Sequence, residues 1–440
     1  EHEHDDDDDE NIVLNSEQNA ALQLVLTGKN VYLTGAAGVG KTFLLRQIVT
    51  QLKKAHTNNA CGSGGVAVTA STGIAASHLP SSATTLHSFA GIGLGGRDVP
   101  KLIQKVMNNR AAHNRWRTTR TLVIDEISMI DGVLFQTLDA IGKTIRGNQH
   151  QPFGGLQLVL CGDFYQLPPV SLRWGGFSFS SVAWKNGQIH VAELHTVIRQ
   201  SGDTRFIRVL RQLREGICSP DSEALLATCH VSTKKRRTDG IVPTKLYCTN
   251  KNVDAENNTE LQKLQGRSEA YSSTDHFKGR YSKSIQTTLR QICDKKLPSR
   301  IQLKIGAQVM LLKNMPEWRL VNGSRGVVID FDENNKKYPV IRFANNTVRT
   351  ITPFEVFQAS AGGAMTRLQL PLKLAWCLTV HKSQGMTLDR LELQLDDAFD
   401  YGQVYVALSR VTSLAGLWIK GKAITQKLVK AHPDVIKFHQ

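Results

Sequence analysis

A glycine-rich loop, GAAGVGKT at residues 35–42, follows the apolar run NVYLT and precedes the helical pattern FLLRQIVTQLKK. A strand, a glycine-rich loop and a helix in this order are typical of a phosphate-binding loop. Backbone N–H groups can surround the phosphates there, Lys41 can reach the β and γ oxygens, and Thr42 can offer a hydroxyl to Mg²⁺. The sequence therefore predicts an ATP and Mg²⁺ site formed by Gly35, Ala36, Ala37, Gly38, Val39, Gly40, Lys41 and Thr42.

Two adjacent carboxylates, Asp125 and Glu126, follow the apolar run TLVI. They are expected at the carboxyl edge of a parallel sheet, which is where α/β proteins bind ligands. Asp125 is placed to hold the Mg²⁺ shell, and Glu126 is placed to polarise an attacking water. A carboxylate beside the Mg²⁺ ligand indicates hydrolysis by water rather than transfer to a metabolite. The pair therefore favours a motor or switch ATPase.

Two glutamines are candidates for further contacts at this site. Gln18, in LNSEQNAAL, stands before a predicted helix, where its amide could pair with the adenine edge. Gln166, in GDFYQLPP, follows the apolar run LQLVL and is expected at the same edge of the sheet as the carboxylates. An amide can both donate and accept a hydrogen bond. The partner of Gln166 stays open at this level.

The charge of the chain favours a polyanionic partner. Of its 440 residues, 54 are Lys or Arg and 38 are Asp or Glu, and eight of the acidic ones fall in residues 1–10, EHEHDDDDDE. The remainder is strongly basic, as in proteins that bind nucleic acid, and charge that serves only solubility is the alternative. Seven scattered cysteines without a CxxC pair argue against zinc ribbons, iron–sulfur clusters and disulfide frameworks. Neither a membrane span nor a secretory signal is visible in these 440 residues.

The pattern of elements predicts several units along the chain. Residues 1–10 form an acidic tail, and residues 11–195 alternate strand-like and helical patterns, which indicates a parallel sheet covered on both faces. A second α/β unit is expected in 196–265 and 371–440. The insertion between its two parts, 266–370, contains short alternating strands broken by Asn-Gly, Gly and Pro, and these predict a small β-barrel.

Nine motifs in a fixed order support a family resemblance. They lie between residues 14 and 420 and read LNSEQ, GAAGVGKT, TASTGIAA, TTLHSFAGIGLG, VIDEISMI, PFGGLQLVLCGDFYQLPP, ELHTVIRQ, LTVHKSQGMTLDRLEL and YVALSRV. This set resembles superfamily 1B DNA helicases, and most closely the PIF (petite integration frequency) family, whose signature region is similar to residues 134–155. The resemblance implies two RecA-like P-loop motor domains, with a small insertion near 85–115 in the first and a Src-homology-3-like barrel in the second.

The resemblance also assigns roles to residues outside the phosphate-binding loop. Gln166 is expected to contact the γ-phosphate and to couple nucleotide state to the grip on DNA. Two arginines, Arg199 in VIRQ and Arg410 in ALSR, are expected to reach the γ-phosphate across the cleft between the two domains. Gln384 in HKSQG is expected to bind nucleotide. The predicted catalytic set is thus Lys41, Asp125, Glu126, Gln166, Arg199 and Arg410.

Single-stranded DNA binding requires phosphate donors and aromatic faces for the bases. By resemblance, the predicted DNA-binding residues are Thr69, Thr72, His87, Phe89, Asn250, Lys251, His381 and Lys382. Phe89 could equally belong to the core, and a single lysine is usually solvated. The basic segments NNRAAHNRWRTTR and KKRR could contact single-stranded or duplex DNA or form solvated loops, and KKRR could also be a nuclear-import signal.

These observations predict an ATP-dependent DNA helicase of 5′-to-3′ polarity, the polarity being implied by the resemblance alone. The expected partners are single-stranded DNA and forked or structured DNA, including G-quadruplexes or RNA–DNA hybrids. A monomer acting in the nucleus or the mitochondrion is expected. The alternatives are a RecD-like or Dda-like helicase and an ATPase that strips proteins from nucleic acid without unwinding it.

Overall fold

The computed structural model describes residues 14–57, 65–72, 75–76, 79, 83–93, 98–200, 202–235, 240–248, 253–278, 283–313, 315–318, 320, 322–360, 363–395, 398 and 400–440. The described helices are α1 Ser16–Leu26, α2 Lys41–Thr57, α3 Leu86–Ala90, α4 Val99–Asn108, α5 Arg110–Thr118, α6 Gly132–Arg146, α7 Leu172–Gly175, α8 Val182–Lys185, α9 Thr204–Arg214, α10 Pro220–Ala227, α11 Val253–Lys263, α12 Lys283–Lys296, α13 Gln403–Leu408 and α14 Pro433–His439.

The described strands form five sheets. They are β1 Asn30–Gly35, β2 Val66–Ala70, β3 Thr84–Thr85, β4 Thr121–Asp125, β5 Gln157–Cys161, β6 Ile189–Leu194, β7 Thr244–Tyr247, β8 Ser268–Ser272, β9 Thr274–Lys278, β10 Arg300–Lys304, β11 Gln308–Leu311, β12 Arg325–Asp332, β13 Tyr338–Phe343, β14 Val348–Thr350, β15 Phe354–Ser360, β16 Gly363–Gln369, β17 Leu372–Leu374, β18 Cys377–Thr379, β19 Leu391–Gln394 and β20 Leu417–Lys420.

A parallel six-stranded sheet, ordered β3-β2-β4-β5-β1-β6, carries the phosphate-binding loop. Its central strands are continuous apolar runs because both of their faces are covered by helices. Val31 and Leu33 of β1 pack into the core formed with α1 and α2, whereas Tyr32 between them packs into the core formed with α6. The prediction of a parallel sheet covered on both faces is confirmed.

Two helices, α4 and α5, form the small insertion of this first domain and pack against α6. Trp116 of α5 is fully buried, and its ring lies 5.2 Å from that of Phe89. Arg146 of α6 donates to the carbonyl oxygens of Trp116 and Thr119 at 2.8 Å and of Gly154 at 2.9 Å. The guanidinium group of Arg146 thereby joins the end of the insertion to the signature region, residues 134–155.

A second parallel sheet, ordered β18-β7-β19-β20, forms the second domain. Its core includes α9, α10 and α13, and every residue of α13 is buried. The same apolar cluster also includes Ala37 and Leu167 of the first domain. The two domains therefore share a packed contact through α13, and the fold class of two RecA-like domains is confirmed.

An antiparallel insertion interrupts the second domain. Its main sheet is five-stranded, β14-β13-β12-β11-β17, beside a three-stranded sheet, β15-β16-β9, and the pair β10-β8. The helix α12 was absent from the sequence-based prediction. Its Leu289 and Cys293 are buried against Met365 of β16, so this helix covers one face of the three-stranded sheet.

The helix α14 packs on the first domain, although the sequence analysis placed residues 371–440 in the second. Val435 is fully buried in the same cluster as Tyr32, and the ring of Phe438 stacks on that of Phe179 at 4.3 Å. An apolar helix face packs wherever a complementary apolar surface exists, and here the aromatic cluster of the first domain supplies it. In the part of the chain that the structure describes, no helix combines the length and apolar character of a membrane span.

Candidate functional site

The phosphate-binding loop connects β1 to α2 and depends on glycine for its shape. Gly38 and Gly40 have φ angles of 89° and 85°, in the left-handed region that favours glycine. A Cβ on Gly38 would lie 2.6 Å from Oε1 of Gln200, and one on Gly40 would lie 3.2 Å from Nε2 of Gln18. The loop is thus covered closely by the segment around Gln200, whose neighbour Ile198 donates its N–H to the carbonyl of Gly38 at 2.8 Å.

Lys41 is held inside this loop. Its Nζ donates to the carbonyl oxygens of Gly35 at 2.7 Å and of Ala36 at 3.0 Å. Burial lowers the pKa of Lys41, and the nearby carboxylates of Asp163 and Glu126 oppose that shift. The ammonium group therefore lies inside the loop that is predicted to bind the phosphates, and Thr42 follows Lys41 at the start of α2.

The predicted carboxylate pair lies at the carboxyl end of β4. Asp125 is buried, its Oδ1 accepts the N–H of Glu126 at 2.9 Å, and burial raises the pKa of Asp125. Glu126 adopts a left-handed backbone with φ 55°. Burial and the adjacent charge of Asp125 raise the pKa of Glu126 to about 7. A carboxylate with this pKa is suited to accept a proton near neutral pH.

The second domain contributes an amide to this carboxylate. Nε2 of Gln384 donates to Oε2 of Glu126 at 2.9 Å. Gln384 follows a single turn of 3-10 helix at His381–Ser383, which connects it to the end of β18. The cleft between the domains is therefore bridged at the predicted catalytic base.

The two predicted arginines meet beside Ser409. Arg410 is only 2% exposed, and its Nη2 donates to Oγ of Ser409 at 2.9 Å. Nη1 of Arg199 donates to the carbonyl oxygen of Ser409 at 3.1 Å. Burial and the positive charge of Arg410 lower the pKa of Arg199 to about 9, whereas Glu126 favours its charged form. Two guanidinium groups beside one carboxylate form a site suited to an anion that bridges both domains.

Unpartnered polar atoms indicate how a nucleotide fits this site. Gln18 of α1 accepts the N–H of Asn15 through Oε1 at 3.1 Å, while its buried Nε2 has no hydrogen-bond partner among the described residues. Oε1 of Gln200 is likewise buried without one. Leaving such groups unpaired costs free energy, so a polar ligand beside Gly40 would be stabilised. Together with Lys41, Asp125 and the two arginines, these residues fit a nucleoside triphosphate with Mg²⁺.

Gln166 lies at the predicted edge of the sheet, in the turn after β5. We call residues 162–166 the Gln166 turn. Gln166 is buried, and its N–H donates to the carbonyl oxygen of Asp163 at 2.9 Å. Three polar residues near this turn, Asp163, Arg214 and Tyr405, have no role predicted from the sequence, although two of them fall in quoted motifs. Tyr405 precedes Arg410 in YVALSR, and Asp163 belongs to GDFYQLPP.

Two of the predicted DNA-binding residues, Thr69 and Phe89, are buried in the structure. Thr69 is fully buried, and its hydroxyl donates to the carbonyl oxygen of Val123 on the neighbouring strand at 2.7 Å. Phe89 is buried against Trp116. Both side chains face the core of the first domain because the strand and the short helix that carry them are covered on that side. Their contact with DNA stays a prediction.

The remaining predicted DNA contacts stay predictions. Thr72 is half-buried, and its Oγ1 accepts the N–H of Ala75 at 3.1 Å. His87 is half-buried, and burial lowers its pKa. His381 is half-buried in the turn that precedes Gln384. The side chain of Lys382 and the whole of Asn250 and Lys251 lie outside the described residues.

The fold and this site define a class, the two-domain P-loop proteins whose nucleotide site lies between RecA-like domains. A model of the PIF1-like helicase family matches residues 13–224, and a model of the 2B domain of DNA helicase Pif1 matches residues 292–331. The ATP-dependent DNA helicase PIF1 of Xenopus laevis is 41% identical over 97% of this chain and 64% of its own length. The chain thus spans slightly less than two thirds of that relative.

Solved structures agree with these matches. The crystal structure of Pif1 helicase from Candida albicans is 40% identical, with a TM-score of 0.75, over 97% of this chain and 99% of that one. Pif1 helicase from Bacteroides in complex with ADP-AlF3 and single-stranded DNA is 26% identical, with a TM-score of 0.64, over 97% of each chain. The chain belongs to the PIF1-like helicase family. This membership favours the PIF assignment over the RecD-like and Dda-like alternatives.

Proposed function

We propose that this protein is an ATP-dependent DNA helicase that moves 5′ to 3′ along single-stranded DNA and opens forked or structured DNA. The observation that carries the proposal is one cleft in which Lys41 and Glu126 of the first domain meet Gln384 and Arg410 of the second. The family membership supports the same activity, and a relative that binds both ADP-AlF3 and single-stranded DNA supports the pairing of ligands.

Hydrolysis in this cleft follows from the positions of the side chains. Loop N–H groups and Lys41 bind the β and γ phosphates, and Glu126 accepts the proton of the attacking water. Thr42 and Asp125 would hold Mg²⁺, which would supply charge neutralisation when bound. The guanidinium groups of Arg199 and Arg410 stabilise charge that develops in the transition state.

Movement along DNA follows from the location of the site between the domains. The γ-phosphate contacts residues of both domains, so ATP favours a closed cleft and its hydrolysis favours an open one. A ligand shifts such an equilibrium only through the difference in its contacts between the two states, and the two arginines and Gln384 provide that difference. Alternating grips of the two domains then move the strand in one direction.

Unwinding of tailed duplexes tests this function. We expect strand separation with a 5′ single-stranded tail and none with a 3′ tail, in the presence of ATP and Mg²⁺. Activity with the 3′ tail alone would contradict the polarity. Single-strand-stimulated hydrolysis that leaves both duplexes intact would instead support the alternative, an ATPase that strips proteins from DNA. Unwinding rates on matched substrates that contain a G-quadruplex or an RNA–DNA hybrid then show which DNA structure the protein prefers.

Replacing Glu126 by glutamine is expected to trap a complex with ATP and DNA. The phosphate contacts remain, but the amide cannot accept the proton of the attacking water, so turnover should fall by at least about 10²-fold. Single-turnover hydrolysis and single-stranded DNA affinity measure the two properties side by side. Glu215→Gln removes an exposed carboxylate and serves as the control. Unchanged turnover in Glu126→Gln would show that another group acts as the base.

The proposal also includes the cellular compartment and the oligomeric state of the protein. We place the activity in the nucleus or the mitochondrion, because relatives from Xenopus laevis and Candida albicans are eukaryotic and both compartments contain DNA. The translocating unit is a monomer, since one chain contains both sides of the cleft. Sedimentation of the protein with and without a forked substrate measures this state.

A further inference from the structure

A buried carboxylate of the first domain is bound by an arginine of the second. Asp163, in the Gln166 turn, has no exposed surface. Arg214, at the end of α9, donates through Nε to Oδ1 at 3.2 Å and Oδ2 at 3.1 Å, and through Nη2 to Oδ1 at 3.1 Å. Burial opposes the ionised form, but Arg214 and Lys41 hold the pKa of Asp163 below its usual value. The ion pair therefore joins the two domains at the Gln166 turn.

A second group from the second domain reaches the same carboxylate. Tyr405 of α13 is 1% exposed, and its hydroxyl donates to Oδ2 of Asp163 at 3.3 Å. The same hydroxyl accepts the N–H of Ala37 in the phosphate-binding loop at 2.7 Å. One side chain of the second domain thus contacts both the phosphate-binding loop and the Gln166 turn. We call this set of contacts, formed by Ala37, Asp163, Arg214 and Tyr405, the interdomain latch.

The helix that carries Tyr405 also touches the Gln166 turn through its backbone. Gly402, the N-cap of α13, has a φ of 69°, and a Cβ there would lie 2.4 Å from the carbonyl oxygen of Tyr165 and 2.7 Å from that of Gln166. Arg410 follows the other end of α13. A displacement of this short, fully buried helix would therefore move the contacts of the Gln166 turn, the Ala37 contact and the arginine together.

We propose that Tyr405 and Arg214 are positioning residues that transmit nucleotide state from the phosphate-binding loop and the Gln166 turn to the second domain through Asp163. This inference rests on the proposed ATP-driven function and names the path of its coupling. Neither residue touches the nucleotide in this scheme. They act by fixing where the loop and the turn lie relative to α13.

The burial of the latch explains why a shift of the phosphate-binding loop or of the Gln166 turn must also move Tyr405 and Arg214. Breaking one side of a buried ion pair leaves an uncompensated charge, which is strongly unfavourable, and an unpaired buried N–H on Ala37 carries its own penalty. The loop and the turn are therefore not free to shift independently of Tyr405 and Arg214. A purely structural network would instead alter thermal stability and leave the coupling between the two ligands unchanged.

Two gentle substitutions test the latch. Tyr405→Phe removes the hydroxyl and keeps the ring, and Arg214→Lys keeps the charge but loses the paired hydrogen bonds. The readout is the ratio of single-stranded DNA affinities with and without ADP–aluminium fluoride, together with kcat and KM for DNA-stimulated ATP hydrolysis. We expect ADP–aluminium fluoride to change single-stranded DNA affinity less in each variant than in the unmodified chain. The ratio of the two affinities should come closer to one by at least about fivefold, within the usual range of coupling between sites. We expect kcat to fall by about tenfold, while KM for ATP changes by less than about threefold.

The control and the double variant separate the explanations. Tyr401→Phe removes a hydroxyl four positions earlier, outside the latch, and should leave the ratio unchanged. Because both residues bind Asp163, the coupling lost in Tyr405→Phe combined with Arg214→Lys should be smaller than the product of the two single losses. Multiplicative losses would overturn the shared path. If Arg214→Lys does not fold, Tyr405→Phe decides alone, since it preserves the packed ring.

Failure of the latch and failure of the proposed function give different results. An affinity ratio in Tyr405→Phe equal to that of the unmodified chain, at any thermal stability, would overturn the latch and leave the proposed function intact. An unmodified chain whose ATP hydrolysis does not respond to single-stranded DNA would overturn the proposed function itself.

Discussion

Replacing Lys41 by alanine is expected to abolish ATP hydrolysis, with turnover reduced by at least about 10²- to 10³-fold, the range seen when one preorganised group that stabilises developing charge is removed. The ammonium lies inside the phosphate-binding loop, bound to the carbonyl oxygens of Gly35 and Ala36. Without it, the β and γ charges lose their cation. Affinity for single-stranded DNA in the absence of nucleotide should persist, because the substitution changes only the interior of the loop.

Steady-state hydrolysis and DNA affinity, measured on the same preparation, test this expectation. Lys29→Ala removes the same charge from an exposed position before β1 and should behave as the unmodified chain. Since Lys41 also satisfies two loop carbonyls, thermal unfolding should be followed in parallel. Equal loss of hydrolysis and DNA binding with a lowered unfolding temperature would mean that Lys41 maintains the fold rather than the chemistry.

Replacing Arg410 by alanine is expected to lower DNA-stimulated turnover by at least about two orders of magnitude while weakening ATP binding far less. An arginine that stabilises the transition state of phosphoryl transfer contributes on the order of 10³ to 10⁵ to turnover, whereas ground-state binding comes mainly from the phosphate-binding loop. Arg410 lies across the cleft from Lys41; burial lowers the pKa of Arg410, and the nearby carboxylate of Glu126 opposes that shift. Under the proposed function, hydrolysis therefore requires contact between the domains.

Nucleotide affinity and turnover of Arg410→Ala, measured side by side, separate the two effects. The arginine donates to the carbonyl oxygen of Val406 and to Oγ of Ser409, so its truncation also removes two hydrogen bonds, worth on the order of 1 kcal/mol each. Arg410→Lys preserves a positive charge and controls for that loss. Near-normal turnover, or a loss explained wholly by failed ATP binding, would contradict a role in the transition state.

Several features of the site were predictable because they depend on residues that are close together in the sequence. The loop GAAGVGKT requires glycine at positions with positive φ, and this constraint is local. Asp125 and Glu126 follow an apolar strand, and the carboxyl end of a parallel strand is a ligand-binding edge whatever surrounds it. The prediction of two parallel sheets and an antiparallel insertion succeeded for the same reason, since strand and helix periodicities are properties of short segments.

The direction in which a side chain points was less predictable. Thr69 and Phe89 fall in motifs expected to face DNA, yet both are buried. Which face of a strand or of a one-turn helix is covered depends on what packs against it, and in this chain Trp116 of the insertion covers Phe89. Arg115, in a basic segment with several open explanations, donates to the carbonyl oxygens of Phe89 and Ser88. Its charge stabilises the insertion instead of remaining solvated.

The amino-acid sequence by itself determined the glycine-rich loop, the carboxylate pair at a strand end and the presence of two parallel sheets, because each is specified by short contiguous patterns. Only the tertiary structure decided how the domains meet. The hydroxyl of Tyr405 contacts the N–H of Ala37 across 368 positions of sequence, and Arg214 pairs with Asp163 of the other domain. The helix α14 likewise packs on the first domain, although it follows the last strand of the second. Such contacts arise from the docking of two complete surfaces, and no local periodicity records which buried group will face which partner.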